Sequence, residues 1–139
     1  MEEIITQRLN ELKKSMVTLK QSLQIFSQYS SNEDLRKIIR DATIKRFEYT
    51  FELCWKTMKH FAEYSGKEVK SPREAIKISL ELGLIEDETQ KEKWIEMLTA
   101  RNMTSHIYNE KIAETLYGKV GEFVAIAEKI INKIEEMMQ

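Results

Sequence analysis

The sequence predicts an all-α protein, an up-and-down helical bundle of four to five helices. Three long stretches repeat apolar residues at the three- and four-residue steps of a helix, and none alternates apolar and polar residues as a strand does. Four glycines and one proline leave few turn signals, so the elements should be long and few. Because no repeat, low-complexity tract or linker interrupts it, we expect residues 1–139 to form a single domain.

The first half of the chain predicts two long helices. The first covers residues 2–29, whose apolar positions follow a heptad rhythm suited to near-parallel packing. Residues 30–34 (Ser-Ser-Asn-Glu-Asp) end it and offer N-caps to a second helix over about residues 35–64, with Gly66 as its C-terminal cap. The only cysteine, Cys54, lies on the apolar stripe of the second helix, which predicts a buried, reduced thiol.

The second half predicts two short helices and a long one. Residues 71–74 (Ser-Pro-Arg-Glu) place serine at an N-cap, proline in the first turn and glutamate at the third position, which starts the third helix. Asp87 opens a fourth helix, and a last helix runs over about residues 109–138. Gly118 and Gly121 on the last helix are expected to let another helix approach closely.

Composition limits the functions that the chain can have. It is 42% hydrophobic and 32% charged, with a formal net charge of -1. Without a basic excess, tight and sequence-blind binding of nucleic acid is not expected, so any nucleic-acid contact should be local. No apolar run is long enough to cross a membrane, and the N-terminus lacks the features of a secretory signal. We therefore expect a cytoplasmic protein without membrane association.

Residues 100–110 (Ala-Arg-Asn-Met-Thr-Ser-His-Ile-Tyr-Asn-Glu) carry most of the chemistry. Arg101 offers a planar fork of donors suited to phosphate, and His106 is of the residue type whose ordinary pKa lies nearest neutrality. On an unbroken helix these two residues would project ~140° apart and could not share a target. The polar residues between them compete for backbone hydrogen bonds. We therefore expect the fourth helix to fray or bend here and turn Arg101 and His106 toward one spot.

This combination suits cleavage of an RNA phosphodiester without a metal. The reaction needs a base, an acid and a cation that steadies the charged phosphorane. His106 fits either proton-transfer role, Arg101 fits the cation, and Asn102 could hold either of them in place. One chain supplies only one such histidine, so the chemistry favours a homodimer with the site at its interface. No metal site and no cofactor is predicted.

Simpler interpretations of the same residues stay open. Arg101 could pair with Glu96 or Glu110, and His106 could cap a helix, as in many helical proteins without activity. The other histidine, His60, lies among charged residues of the second helix and is expected to be solvated.

Carboxylates also recur at helical spacing on the second helix, at Asp41, Glu48 and Glu52. Paired carboxylates can hold a metal or act as general acids. A charged, solvated face or a subunit contact explains this pattern better, since no histidine lies nearby to complete a ligand set.

Two stretches together resemble the nucleotidyltransferase substrate-binding protein family, which belongs to the HEPN superfamily of small helical, nucleotide-associated domains. They are residues 46–56 (Arg-Phe-Glu-Tyr-Thr-Phe-Glu-Leu-Cys-Trp-Lys) and residues 101–108 (Arg-Asn-Met-Thr-Ser-His-Ile-Tyr). The resemblance covers nearly the whole chain. It implies a HEPN-like up-and-down bundle that dimerises and that binds a small nucleotidyltransferase encoded beside it.

The resemblance also implies roles for individual residues. In related toxin–antitoxin pairs the HEPN subunit is a metal-independent ribonuclease, and an Arg-x4-His motif carries the cleavage. The matching positions are Arg101 and His106, with Asn102 as the polar residue after the arginine. The transferase silences such a toxin by attaching AMP to a tyrosine that corresponds to Tyr108. A bulky anion there would occupy the phosphate site and offset the charge of Arg101.

Two functions are therefore predicted. The first is the HEPN subunit of a two-component nucleotidyltransferase module, a toxin-type endoribonuclease that its partner neutralises by AMPylation at Tyr108. The alternative is a non-catalytic subunit that binds a substrate or nucleotide and presents it to the transferase. In that case a face around Glu48, Glu52 and Trp55, together with a pocket near Arg101, would bind the ligand. The expected partners are a second copy of the chain, the transferase, and an RNA or nucleotide.

Overall fold

The computed structural model describes residues 1–139 and contains five α-helices, one 3₁₀ turn and no strand. In chain order the elements are α1 (Glu2–Tyr29), α2 (Glu33–Tyr64), α3 (Pro72–Glu81), α4 (Glu88–Asn102), the 3₁₀ turn (Thr104–His106) and α5 (Glu110–Met137). The predicted all-α bundle of four to five helices is confirmed. None of these helices is long and apolar enough to span a membrane.

The long helices run up and down, and α2 contacts each of the other four. α1 and α2 are antiparallel, because the start of α1 meets the end of α2 where the Tyr64 hydroxyl donates a 2.7 Å hydrogen bond to Glu2. α1 is also antiparallel to α5, which it meets through the ion pairs Lys13–Glu135 and Lys20–Glu128. α3 and α4 lie between α2 and α5 in the chain, and both pack against α2 and against each other, while α4 also packs against α5.

Side-chain caps explain where the helices begin. The side chains of Asn32, Ser71, Asp87 and Asn109 each accept a hydrogen bond from the backbone amide three residues ahead, at 2.9–3.2 Å. The cap at Asn32 starts α2 at Glu33, slightly before the predicted position. Gly66, with φ +87°, follows the end of α2 as expected, since a left-handed residue there suits glycine.

The core is one cluster of 31 buried apolar residues contributed by all five helices. At its centre the ring of Phe123 on α5 lies 4.9 Å from Phe47, and Trp94 on α4 lies 6.0 Å from Phe123. Aromatic pairs at these distances prefer tilted or edge-to-face contacts, as these rings adopt. Cys54 is fully buried, and burial raises the pKa of its thiol well above its ordinary range. The predicted buried thiol is confirmed.

A network of ion pairs ties the first part of α2 to the start of α5. Arg40 is only 1% exposed, and its guanidinium donates to Glu110 at 2.7 Å and to Glu114 at 3.3 Å. Arg36, one turn earlier, also pairs with Glu114. These arginines hold the pKa values of both glutamates below the ordinary range. The network therefore fixes the beginning of α5, directly after residues 101–109.

Two sequence-based expectations are wrong. Gly118 and Gly121 are exposed on α5, and a Cβ built at either position would meet no atom within 4 Å, so no other helix of this chain approaches them closely. The side chain of His60 is only 25% exposed, because α2 packs against α1 there. Partial burial, followed by the charge of Arg8, lowers the pKa of His60.

Candidate functional site

The candidate site lies where α4 ends and the chain turns back into α5. α4 stops at Asn102, and the Thr104 hydroxyl donates a 2.8 Å hydrogen bond to the carbonyl of Arg101, which closes the last turn of the helix. The amide of His106 then donates to the carbonyl of Met103 at 3.0 Å within the 3₁₀ turn. The expected break in α4 is confirmed, and the Thr104 hydroxyl is the polar side chain that bonds to the backbone there.

The other side of this loop is anchored just as closely. The Asn109 amide donates to the His106 carbonyl at 3.1 Å, and the Asn109 side chain caps α5 by accepting from the amide of Ile112. Glu110 follows and is held by the buried Arg40. Short hydrogen-bonded segments of this kind leave the backbone little freedom. The side chains of the loop therefore project from a backbone of fixed conformation.

Arg101 points toward α2 and not along its own helix. One terminal nitrogen, Nη2, lies 2.6 Å from Oε1 of Glu52, and the other, Nη1, donates to Oδ1 of Asn102 at 3.4 Å. Its Nε–H is buried and has no hydrogen-bond partner. The second oxygen of Glu52 accepts from the Trp55 indole at 3.1 Å. Arg101, Glu52 and Trp55 therefore form one connected cluster between α4 and α2.

This cluster corrects the simpler interpretation of Arg101. The expected partners Glu96 and Glu110 are not used: Glu96 makes no ion pair, and Glu110 pairs with Arg40 and Lys37. The true partner, Glu52, is distant along the chain. No local sequence signal connects the two positions, because the contact depends on how α4 packs against α2.

His106 and Tyr108 face solvent. Nδ1 of His106 lies 3.5 Å from the Tyr108 hydroxyl, and the two rings meet edge to face with centroids 6.0 Å apart. Tyr108 is 82% exposed, the most exposed large hydrophobic side chain of the protein. His106 does not cap a helix, so that alternative is wrong. No hydrogen bond joins His106 to Arg101, and their convergence on one target stays a prediction.

The aromatic and acidic stretch of residues 46–56 divides into two parts. Phe47, Phe51 and Cys54 belong to the core, and Arg46 donates to a backbone carbonyl of α1. Of the predicted ligand face, Glu52 pairs with Arg101, and Trp55 donates to Glu52. Glu48 lies one turn away and pairs with Lys45 at 3.4 Å. No three His, Cys, Asp or Glu side chains gather as a metal site would require.

An apolar groove of about 450 Å³ lies beside the loop, between α4 and α5. Its floor is made of Ile95, Met103, Ile112 and Leu116, with Lys111 and Lys119 among the polar residues that line it. Met103 belongs both to this groove and to the loop that carries His106. Met103 therefore connects the groove to the loop.

The five helices and the loop between α4 and α5 define a small all-helical domain. The chain belongs to the nucleotidyltransferase substrate-binding protein-like family, whose model matches residues 7–136.

Known proteins resemble this chain in sequence and in fold. A Haemophilus influenzae protein described as a probable ribonuclease HepT is 24% identical over 140 residues, which cover 94% of each chain. A solved H. influenzae structure, described as revealing the fold of a substrate-binding domain of a nucleotidyltransferase, superposes with a TM-score of 0.81 at 22% identity, covering 91% of this chain and 98% of the other. A tri-AMPylated HEPN toxin from Shewanella oneidensis, solved with its MNT antitoxin, superposes with a TM-score of 0.72 at 19% identity, covering 98% and 99%.

Proposed function

We propose that this protein is the HEPN subunit of a two-protein nucleotidyltransferase module and acts as a toxin-type, metal-independent endoribonuclease. The observation that carries the proposal is the position of Arg101 in the last turn of α4 and of His106 in the anchored loop that follows, with the imidazole exposed and the guanidinium only partly covered. The relatives described as a probable ribonuclease and as a HEPN toxin support it.

Three polar residues of the candidate site have roles in this proposal. Arg101 binds the scissile phosphate and stabilises the charge of the phosphorane. His106 transfers protons between the 2′-hydroxyl, the leaving oxygen and solvent. Asn102, whose side-chain oxygen accepts from Arg101, orients the guanidinium.

A second copy of the chain completes the site in this proposal. Cleavage requires both a base and an acid, and each single domain supplies only one histidine on this loop. The apolar groove beside the loop is an uncovered surface on which a second copy can pack. Two loops would then face each other and provide two histidines and two arginines.

The partner transferase would silence the toxin at Tyr108. This side chain is 82% exposed, so a second protein can reach its hydroxyl without unfolding the loop. An attached AMP would place a phosphate beside His106, since the hydroxyl already lies 3.5 Å from the imidazole. The modification would block the substrate path and supply a negative charge near Arg101.

Growth of bacteria that express the protein, with and without a cognate transferase, tests this function. The parent is expected to arrest growth, and His106→Ala is expected to abolish the arrest. Tyr108→Phe is the matched control, because it keeps the ring and is expected to remain toxic while escaping AMPylation in the mass spectrum. A His106→Ala variant as toxic as the parent would show that the proposed mechanism is wrong.

The alternative function is presentation of a substrate or nucleotide to the transferase without cleavage. It draws support from the cluster of Glu52, Trp55 and Arg101, which combines an aromatic surface with both signs of charge in one place. Under this alternative, nucleotide binds to the purified protein and is lost in Arg101→Ala, yet no RNA is cut. Growth arrest by the parent separates the two functions.

A further inference from the structure

Between α2 and α4, Glu52 contacts Arg101 in a geometry that the ribonuclease roles given above do not explain. The carboxylate and the guanidinium approach to 2.6 Å, and their side chains are 26% and 33% exposed. The pair is therefore neither sealed in the core nor free in solvent. A charged ligand that binds Arg101 must therefore lie beside the carboxylate of Glu52.

Trp55 fixes the direction of the Glu52 carboxylate. It lies three residues further along α2, and its indole Nε1–H donates to Oε2 of Glu52 at 3.1 Å. Oε2 is thus engaged by the indole while Oε1 faces Arg101. Since Trp55 also packs against the core, its indole has a fixed position from which it holds the Glu52 carboxylate.

Some N–H donors of the Arg101 guanidinium have hydrogen-bond partners and others do not. A guanidinium carries five N–H bonds. One donates to Glu52 and one to Asn102, and the Nε–H is buried without a partner. One hydrogen on each terminal nitrogen is left. Free N–H donors on the terminal nitrogens of a guanidinium can bond to the oxygens of a phosphate.

We propose that Glu52, held by Trp55, is the positioning residue of Arg101 and competes with an incoming phosphate for its positive charge. The inference rests on the proposed role of Arg101 as the phosphate-binding group. Glu52 keeps the guanidinium turned toward α2 with two donors free, and its negative charge weakens ground-state binding of the anion. Removal of the Glu52 charge should tighten binding of the phosphate. Loss of the fixed orientation of the Arg101 guanidinium should slow cleavage.

The coupling itself can be measured without any activity. The protein has two tryptophans, so its nitrogen–proton NMR spectrum contains two indole signals, and Trp55→Phe identifies one of them. Arg101→Ala is expected to shift the Trp55 indole signal through Glu52. Arg73→Ala, which removes an exposed arginine of α3 that makes no ion pair, should leave it in place. An unmoved Trp55 signal in Arg101→Ala would overturn the coupling.

Binding of a single-stranded DNA oligonucleotide tests the competition, because DNA lacks the 2′-hydroxyl and is not cleaved. By fluorescence anisotropy at fixed salt, Glu52→Gln is expected to tighten binding roughly threefold, and Arg101→Ala to weaken it. With RNA as the substrate, Glu52→Gln is expected to lower KM because binding is tighter, and to lower kcat because the guanidinium is less well oriented. A loss of folding stability would not lower KM.

The two possible failures are distinguishable. An unchanged affinity in Glu52→Gln, with weaker binding in Arg101→Ala, would overturn the competition and leave the proposed function intact. An unchanged affinity in Arg101→Ala would instead remove the phosphate-binding role, and this inference with it.

Discussion

Among single residues, Arg101 illustrates what can and cannot be predicted from a sequence. His106 and Tyr108 follow Arg101 within a few residues, so the sequence alone predicts that they lie near it. The sequence does not predict the ion pair of Arg101 with Glu52, since this contact depends on the packing of α4 against α2. Both residues were identified as candidates, but only the structure joins them.

Cys54 gives a prediction at this scale. The thiol is fully buried in the core, and burial raises its pKa, so almost no thiolate is available at neutral pH. We expect a thiol-reactive dye to label Cys54 only as fast as the protein unfolds. The measurement is labelling rate with increasing urea, compared with the unfolding transition followed by circular dichroism. Rapid labelling of the folded protein would contradict the buried position.

Among the helices, boundaries follow from local chemistry and were therefore predictable. Ser71, Asp87 and Asn109 cap their helices as their side chains suggested, and α4 ends after Asn102 as expected, where Thr104 bonds to the backbone. The expectation about Gly118 and Gly121 failed because a glycine on a helix does not reveal whether another helix lies beside it. Contacts between elements are not written in the local sequence.

The cap of α5 gives a prediction for this scale. Asn109→Ala removes the side-chain acceptor for the Ile112 amide and should lower the free energy of unfolding by about 1 kcal/mol. Because the Asn109 side chain fixes the first turn of α5, directly after the loop that carries His106, RNA cleavage should fall as well. The matched control is Ser71→Ala, which removes the same kind of cap from α3 and should lose similar stability. Equal cleavage in the two variants would contradict the role of Asn109 in holding the loop.

For the whole molecule, the periodicity and the caps were enough to predict the class of fold, since three amphipathic helices must bury their apolar stripes against one another. They were not enough to predict the ionic network of Arg36, Arg40, Glu110 and Glu114. A buried arginine such as Arg40 is indistinguishable in sequence from a solvated one. The network matters here because it orients α5, and α5 follows directly from the loop.

This network predicts how stability depends on pH. Hydrogen bonds from Arg40 and Arg36 lower the pKa values of Glu110 and Glu114 in the folded protein. Their contribution is therefore complete above the ordinary pKa of glutamate and is lost as the pH falls through the lowered values. Thermal unfolding measured from neutral pH into the acid range should show this loss, and a Glu110→Gln/Glu114→Gln variant should show a smaller one. Identical pH profiles would contradict the contribution of the network.

The most direct test of the account is cleavage of labelled single-stranded RNA by the purified protein in EDTA, beside an Arg101→Ala/His106→Ala double variant. We predict cleavage by the parent and none by the variant, when circular dichroism shows that both proteins are folded. Mass spectrometry should first establish that the parent carries no AMP on Tyr108. A folded, unmodified parent that leaves the RNA intact would contradict the ribonuclease function and favour the subunit that presents substrate to its transferase.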